Sequence, residues 1–432
     1  SCSLGRGAQL MSRSHLLVGA TYLRGAEFKV CVGDIEVQNG VIVRLTESPA
    51  SIDPEEFKEA GVPVLDGRNL LVIPGFCNAH AHVFDGGQKE SWVGLDIETL
   101  FSGSGQKNTA IKNLPNEVLK LEATRALQTM LRYGVTSTCI FVEDGVRGLS
   151  ILREIQKERT DIPNLVLLGR PSGPQATQQE VAAVAQLADG FGPGSISPLP
   201  DHLLAAMHQQ CKQQCSQQAN GKVLATHVGE AKATSSVERA ISVMGAHFLV
   251  HGNYLTPQQL DLLAATSTSS STSSSATTST TSSSTTSSSS ECGAVGLVLC
   301  VRTGTSFGHT PLDLAELDAR NIPFAFGTDN IMSSTPNMFK EIEFVTRNFL
   351  GRHKGKKLLP LSRLLEGATH TGCRLIGLPK RGLVEEGFAA DLLLLERDQE
   401  LSAISGAETV IFRAGCQHIK QVMINGKAVY CR

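Results

Sequence analysis

Up to Pro74 the chain alternates short apolar, β-branched runs with turn residues: HLLVGATYL, FKVCVGDIEV, GVIVRL and VPVLDGRNLLVIPGF. This rhythm predicts the strands of a small sheet. The same style returns near the C-terminus in ADLLLLERD, TVIFRAG and IKQVMINGKAVY, where Asn425-Gly426 offers a two-residue hairpin turn. The two ends, residues 1–73 and 381–432, are expected to build one β-sandwich together.

Between them the pattern changes. Short apolar runs occur at 71–76 (LVIPGF), 135–141 (VTSTCIF), 164–170 (NLVLLGR), 195–199 (SISPL), 222–228 (KVLATHV), 247–252 (HFLVHG), 296–302 (GLVLCVR) and 323–329 (PFAFGTD). Helical stretches separate most of them, including Asn116 to Arg132, with Gly134 just past its end, and Ser334 to Phe349. Strands that alternate with helices imply parallel βα units, and eight of them over 74–380 predict a (β/α)8 TIM barrel of the α/β class.

One segment fits neither pattern. From Thr266 to Ser290 every position is Ser or Thr except Ala276. Such a tract has nothing to bury against its ordering entropy, so 266–290 is expected to be disordered. It follows Thr256-Pro257-Gln258-Gln259, a helix start with Thr as N-cap, Pro at the first position and Gln as capping-box partner, in a helix expected to run through Ala265. It precedes the seventh strand, so it occupies a helix-to-strand loop. Such loops lie on the barrel face opposite the chemistry.

Composition narrows the partners. With 39 Lys+Arg against 41 Asp+Glu there is no basic excess for nucleic acid or an anionic membrane. No apolar run approaches the ~18 residues needed to span a bilayer, and SCSLGRGAQLMSRSH lacks a signal-peptide core, so a cytoplasmic protein is expected. The 11 Cys are scattered without a CxxC pair and read as reduced, mostly buried thiols.

The chemistry gathers at strand ends. In Pro74-Gly75-Phe76-Cys77-Asn78-Ala79-His80-Ala81-His82, strand alternation points His80 and His82 to one side, about 7 Å apart along the chain, close enough to converge on one ion. THVGE (226–230) ends the fifth predicted strand, VHG (250–252) the sixth and GTDN (327–330) the eighth. A lone histidine at any of these places would usually be a satisfied core or loop residue. All four motifs lie at C-terminal strand ends, where barrels place their chemistry, and this favours a site. Three neutral imidazoles and a carboxylate suit Zn²⁺ or Fe²⁺ with one position open for water. The metal lowers the pKa of that water toward ~7 and makes hydroxide available at neutral pH. Glu230, three residues after His227, can reach a substrate to carry protons.

PGFCNAHAH, THVGE, LVHG and FGTDN, together with the closing ATHTGCRLIGLPKRGLVEEGFAADLLLL, make the chain resemble the amidohydrolase superfamily. The likeness is to the branch with cytosine, guanine and S-adenosylhomocysteine deaminases and triazine chlorohydrolases. It implies a metal-dependent barrel with a β-sandwich made from both termini. By position it assigns His80, His82, His227 and Asp329 as metal ligands and Glu230 as proton shuttle. His251 would hold the attacking water or the substrate, and Asp329 would take the proton from that water. The two-metal members use a carboxylated Lys at the end of the fourth strand; Gly194 to Pro200 holds no Lys, so one divalent ion is expected, Zn²⁺ first and Fe²⁺ second.

The implied activity is a metal-dependent hydrolase, foremost a deaminase that releases ammonia from a nucleobase, nucleoside or related N-heterocycle. A chlorohydrolase or cyclic-amide hydrolase on the same scaffold is the alternative, and a silent scaffold the remote one. Water and a small N-heterocycle are the implied partners, and homodimers or larger homo-oligomers are common in the family. Where this branch often reads Cys-Pro-x-Ser-Asn after the seventh strand, the chain has Cys300-Val301-Arg302-Thr303-Gly304. Arg302 therefore reads equally as a site residue or a surface cation. Gln88, Trp92 and Glu98 lie in the long loop after the first strand, and Trp92 reads equally as a stacking platform or a hydrophobic lid. Arg170 completes the candidate substrate contacts, and His309 reads as structural.

Overall fold

The computed structural model describes residues 12–49, 51–102, 105–215, 222–271 and 294–432. Its central layer is a run of parallel strands in chain order: Phe76–His82, Val135–Phe141, Asn164–Gly169, Gly190–Phe191, Val223–Val228, Phe248–His251, Gly296–Leu299 and Phe324–Phe326. The eighth strand resumes at Asp329–Asn330, which pairs in parallel with the first, Asp329 opposite Ala81 and Asn330 opposite His82. That pairing closes the ring. The molecule is a (β/α)8 barrel, with helices such as Asn116–Arg132, Gly145–Glu158, Gln178–Leu187 and Met338–Arg352 around it. The helix Asn116–Arg132 stops as expected, because Gly134 (φ +81°) takes the left-handed turn behind it.

The strands from both chain ends form one eight-stranded mixed sheet. Its order is Lys427–Cys431, Ile419–Ile424, Leu392–Glu396, Leu70–Pro74, His15–Arg24, Lys29–Gln38 and Val41–Leu45, with Val64–Asp66 also paired to His15–Arg24. The hairpin turn at Asn425-Gly426 has positive φ at both residues, 49° and 71°, as a type I′ turn requires. Leu17, Tyr22, Ile35, Val72, Leu392 and Leu394 join one apolar cluster within this sheet.

Four expectations change. The run at 71–76 is not one barrel strand: Leu70–Pro74 belongs to the terminal sheet, Gly75 breaks it, and Phe76 begins the first barrel strand. The fourth strand is Gly190–Phe191, not 195–199. Pro193, Pro198 and Pro200 withhold ladder N–H groups there, and the segment turns instead, with Leu199 N–H donating to the Ile196 carbonyl at 3.0 Å. The last large helix starts at Met338 rather than Ser334, because Asn337 accepts from Lys340 N–H as its N-cap. Finally, the helix capped by the reciprocal Thr256/Gln259 bonds (3.2 and 3.3 Å) runs Pro257–Ser271, so the Ser/Thr tract begins as helix rather than as coil. Positions 272–290 lie outside the described residues.

Candidate metal centre and active site

The first barrel strand carries a β-bulge between Asn78 and Ala81. Cys77 and Ala79 join the inner apolar cluster with Cys139, Phe141 and Ala225, whereas Ala81 belongs to the outer one. Simple alternation would turn His80 and His82 outward after Cys77 and Ala79. The bulge resets the phase and turns both inward, where the His80 ring lies 5.0 Å from His82, 4.8 Å from His227 and 5.7 Å from His251. Gly327 lets the eighth strand pass: a Cβ there would stand 2.7–2.9 Å from His80 atoms. Asp329 then reaches the imidazoles, its Oδ1 3.4 Å from His80 Nε2 and 3.6 Å from His82 Nε2.

His251 and Asp329 have φ of 71° and 62°, left-handed values that cost a side-chain-bearing residue about 1–3 kcal/mol. His251 ends the sixth strand and Asp329 opens the piece where the eighth resumes. Glu230 closes the far side, its Oε1 3.7 Å from His251 Nε2. Its side chain is 26 % exposed, against 4 % or less for His80, His82, His251 and Asp329.

Electrostatics and unmet hydrogen bonds fit a cation. Burial lowers His80 to about 3 and His227 well below the usual imidazole range, so both rings are neutral donors. Burial works against an ionised Asp329, but the close approach of His80 and the surrounding imidazoles outweigh it and hold the carboxyl below its ordinary range. His80 Nε2, His227 Nε2, His251 Nε2 and Asp329 Oδ2 are buried without hydrogen-bond partners. Buried polar atoms left this way are costly unless something absent from the chain satisfies them. His80, His82 and His227 offer ligand atoms within 4.8 Å of one another, a spacing that suits one ion.

The amidohydrolase family model matches residues 71–429, which include the whole barrel. This chain is an amidohydrolase. An uncharacterised protein of Methanocaldococcus jannaschii is 26% identical over 87% of this chain and 88% of its own length. A 5-methylthioadenosine/S-adenosylhomocysteine deaminase of Caldicellulosiruptor saccharolyticus is 20% identical over 96% and 92%. The crystal structure of an adenosine deaminase from Xanthomonas campestris with bound zinc has the same fold, with TM-score 0.72 at 18% identity over 96% of this chain and 92% of that one. Family membership makes the protein a metal-dependent hydrolase acting on carbon–nitrogen bonds other than peptide bonds. Among the described residues no helix is long and apolar enough to cross a membrane.

The amidohydrolase site also contains groups that the sequence patterns did not flag. Glu143, just past the second barrel strand, is fully buried with its Oε1 2.6 Å from His82 Nδ1 and 2.6 Å from Lys107 Nζ. Burial opposes its charge, but Lys107, His82 and Arg170 overcome this and hold it well below the usual carboxylate range. Glu143 obeys the same strand-end rule that picked out the histidines, so the signal was there. Cys300 at the end of the seventh strand has its sulfur within 4.8 Å of ligand atoms on His80 and Asp329, and burial pushes its thiol well up, keeping it protonated.

The candidate substrate contacts divide. Arg170 reaches the site, its Nη2 3.9 Å from Glu143. Gln88 Nε2 is buried without a hydrogen-bond partner. Arg302 is engaged elsewhere: its Nη1 donates to the Thr335 carbonyl at 3.2 Å and lies 3.6 Å from Glu341. It lines a cavity of about 580 Å³ with Lys89, Glu122, Arg125 and Lys340, and none of the clustered histidines lines it. Trp92 is half-buried and packs on Phe307, ring centroids 5.4 Å apart. Glu98 is exposed. His309 Nδ1 lies 3.2 Å from the Tyr254 hydroxyl, and its Nε2 is buried without a hydrogen-bond partner.

Proposed function

We propose that this amidohydrolase is a deaminase that hydrolyses an amidine-like C–NH₂ group on a nucleobase, nucleoside or related N-heterocycle and releases ammonia. His80, His82, His227 and Asp329 would hold one divalent ion, Zn²⁺ before Fe²⁺. The fourth strand supports a single ion, since neither Gly190–Phe191 nor the following residues through Pro200 include a Lys that could be carboxylated. When bound, the ion supplies a Lewis acid that makes an attacking water a better nucleophile at neutral pH. Asp329 accepts the proton from that water. Glu230 delivers a proton to the ring nitrogen, which makes the neighbouring carbon more electrophilic, and His251 steadies the developing tetrahedral centre. Asp329 passes its proton to the amino group, the C–N bond breaks to release ammonia, and the proton of the new hydroxyl returns to Glu230 as the carbonyl forms.

The observation that carries this reading is the contrast in exposure. Glu230 is the partly open acid beside the buried His80, His82, His251 and Asp329, on the side where His227 is also partly exposed, and it sits 3.7 Å from His251, where a flat ring could meet both. The adenosine deaminase with zinc and the methylthioadenosine/S-adenosylhomocysteine deaminase lend it support by similarity alone. The test is a screen of purines, pyrimidines, adenosine derivatives and triazines for ammonia release, with the metal content measured in parallel. About one metal per chain, and turnover that Glu230→Gln lowers by about 10²–10⁴-fold, is the expected result. Chloride or a new carboxylate as product would move the reading to a chlorohydrolase or a cyclic-amide hydrolase.

A further inference from the structure

Lys107 stands out as a buried lysine far from any predicted motif. It comes from the helix Gln106–Asn113, within the long segment between the first barrel strand and the helix Asn116–Arg132, and is 4 % exposed. A buried ammonium is stable only when acceptors surround it. Its surroundings supply Glu143 Oε1 at 2.6 Å, the Asn330 Oδ1 hydrogen bond and Asp85 Oδ2 at 3.8 Å.

Two of these partners lead to different residues of the metal site. On one side Glu143 Oε1 stands 2.6 Å from His82 Nδ1, which also lies 3.1 Å from the Phe141 carbonyl oxygen. Both neighbours are acceptors, so His82 Nδ1 carries the proton and Nε2 keeps its lone pair facing Asp329 and the cluster. On the other side Asn330 accepts from Lys107 through Oδ1, which fixes its amide so that Nδ2 donates to Asp329 Oδ1 at 2.8 Å. One ammonium thus orients an imidazole through a carboxylate and a carboxylate through an amide.

We infer that Lys107 is a positioning residue that presets both His82 and Asp329 for the metal and so ties ion binding to the docking of the 105–114 segment. The inference rests on the reading that His82 and Asp329 are metal ligands. Outer partners of this kind typically set about 10–100-fold in metal affinity. Because coupling is reciprocal, an ion that Lys107 helps to hold must also hold Lys107's helix in place. Ile111 of the same helix is buried in the outer apolar cluster, so the helix docks through apolar contacts as well. The lysine therefore adds orientation to a segment that has packing of its own.

The experiment uses the full chain stripped of metal. Zn²⁺ affinity is measured by chelator competition, the ligand field by the visible spectrum of the Co²⁺-loaded protein, and docking by amide exchange over 105–114 with and without Zn²⁺. Lys107→Met is expected to weaken Zn²⁺ binding by about 10–100-fold, change the Co²⁺ bands and abolish the slowing of amide exchange by Zn²⁺. Lys107→Arg is expected to recover part of the affinity. Lys107→Met leaves Glu143 unpaired in the interior, so Lys107→Met/Glu143→Gln, which removes both charges, guards against simple misfolding; it is expected to fold and still bind Zn²⁺ weakly. Wild-type affinity and an unchanged Co²⁺ spectrum in the folded double variant overturn the inference alone. A wild-type protein that binds no stoichiometric metal overturns the metal-site reading and this inference with it.

Discussion

The inside of the barrel has two halves with opposite chemistry. Toward the N-terminal strand ends Ala79, Cys139, Val166, Val223, Phe248 and Val298 pack as an apolar plug. Toward the C-terminal ends His80, His82, His227, His251 and Asp329 share the same strands, yet buried nitrogens and oxygens lack partners and two residues hold strained backbone. The plug contributes stability through dense contact. The upper half is costly to the free fold and is justified by what it can bind, so the same burial serves two ends.

The largest expected effect lies in the upper half. Glu230→Gln should lower ammonia release by about 10²–10⁴-fold while metal content and melting temperature stay at wild-type values. A parallel fall in melting temperature would blur the division. In the plug, Phe248→Ala should cost about 3–5 kcal/mol in denaturant unfolding, because a fully buried ring leaves a cavity. Among molecules still folded, the metal stoichiometry should not change; a plug substitution that expelled the metal without unfolding the chain would unite the two halves.

A pH titration separates the halves more finely. In the metal-free protein the unfolded chain gains a proton on His80 near pH 6.5, while the folded chain resists it until about 3. The unfolded state therefore binds more protons in that window, and stability should drop as the pH falls from about 6.5 toward 3. His80→Gln should flatten part of this slope in urea titrations, whereas Phe248→Ala should shift the whole curve down without changing its shape.

The smallest effect is expected from the Ser/Thr tract. Thr266 Oγ1 accepts from Val295 N–H at 3.0 Å, so the two flanks of the insert are already joined before it leaves the barrel. Deleting 272–290 with a short Gly/Ser junction should leave turnover within a few fold, measured as ammonia release. Removing Thr266 as well should lower the melting temperature, since Val295 N–H then loses its acceptor.

Residue types at strand ends made much of the site legible. His80, His82, His227, His251, Glu230 and Asp329 come together as the patterns imply, because a parallel barrel gathers the C-terminal ends of all its strands on one face. The fourth strand escaped notice because two residues, Gly190 and Phe191, carry no periodicity, while SISPL imitated a strand that Pro198 and the flanking Pro193 and Pro200 disfavour. Lys107 and Asn330 escaped because their meeting spans 223 positions and leaves no local mark.

Local order in the chain was enough to name the donors, set the parallel βα rhythm and put His80 and His82 on a common side, since side-chain alternation is a property of any extended strand. It could not say which side. That was decided by the bulge after Asn78, the left-handed turns at His251 and Asp329, and the arrival of Lys107 from a separate helix. These depend on neighbouring strands and on contacts between distant segments, which exist only once the barrel has closed.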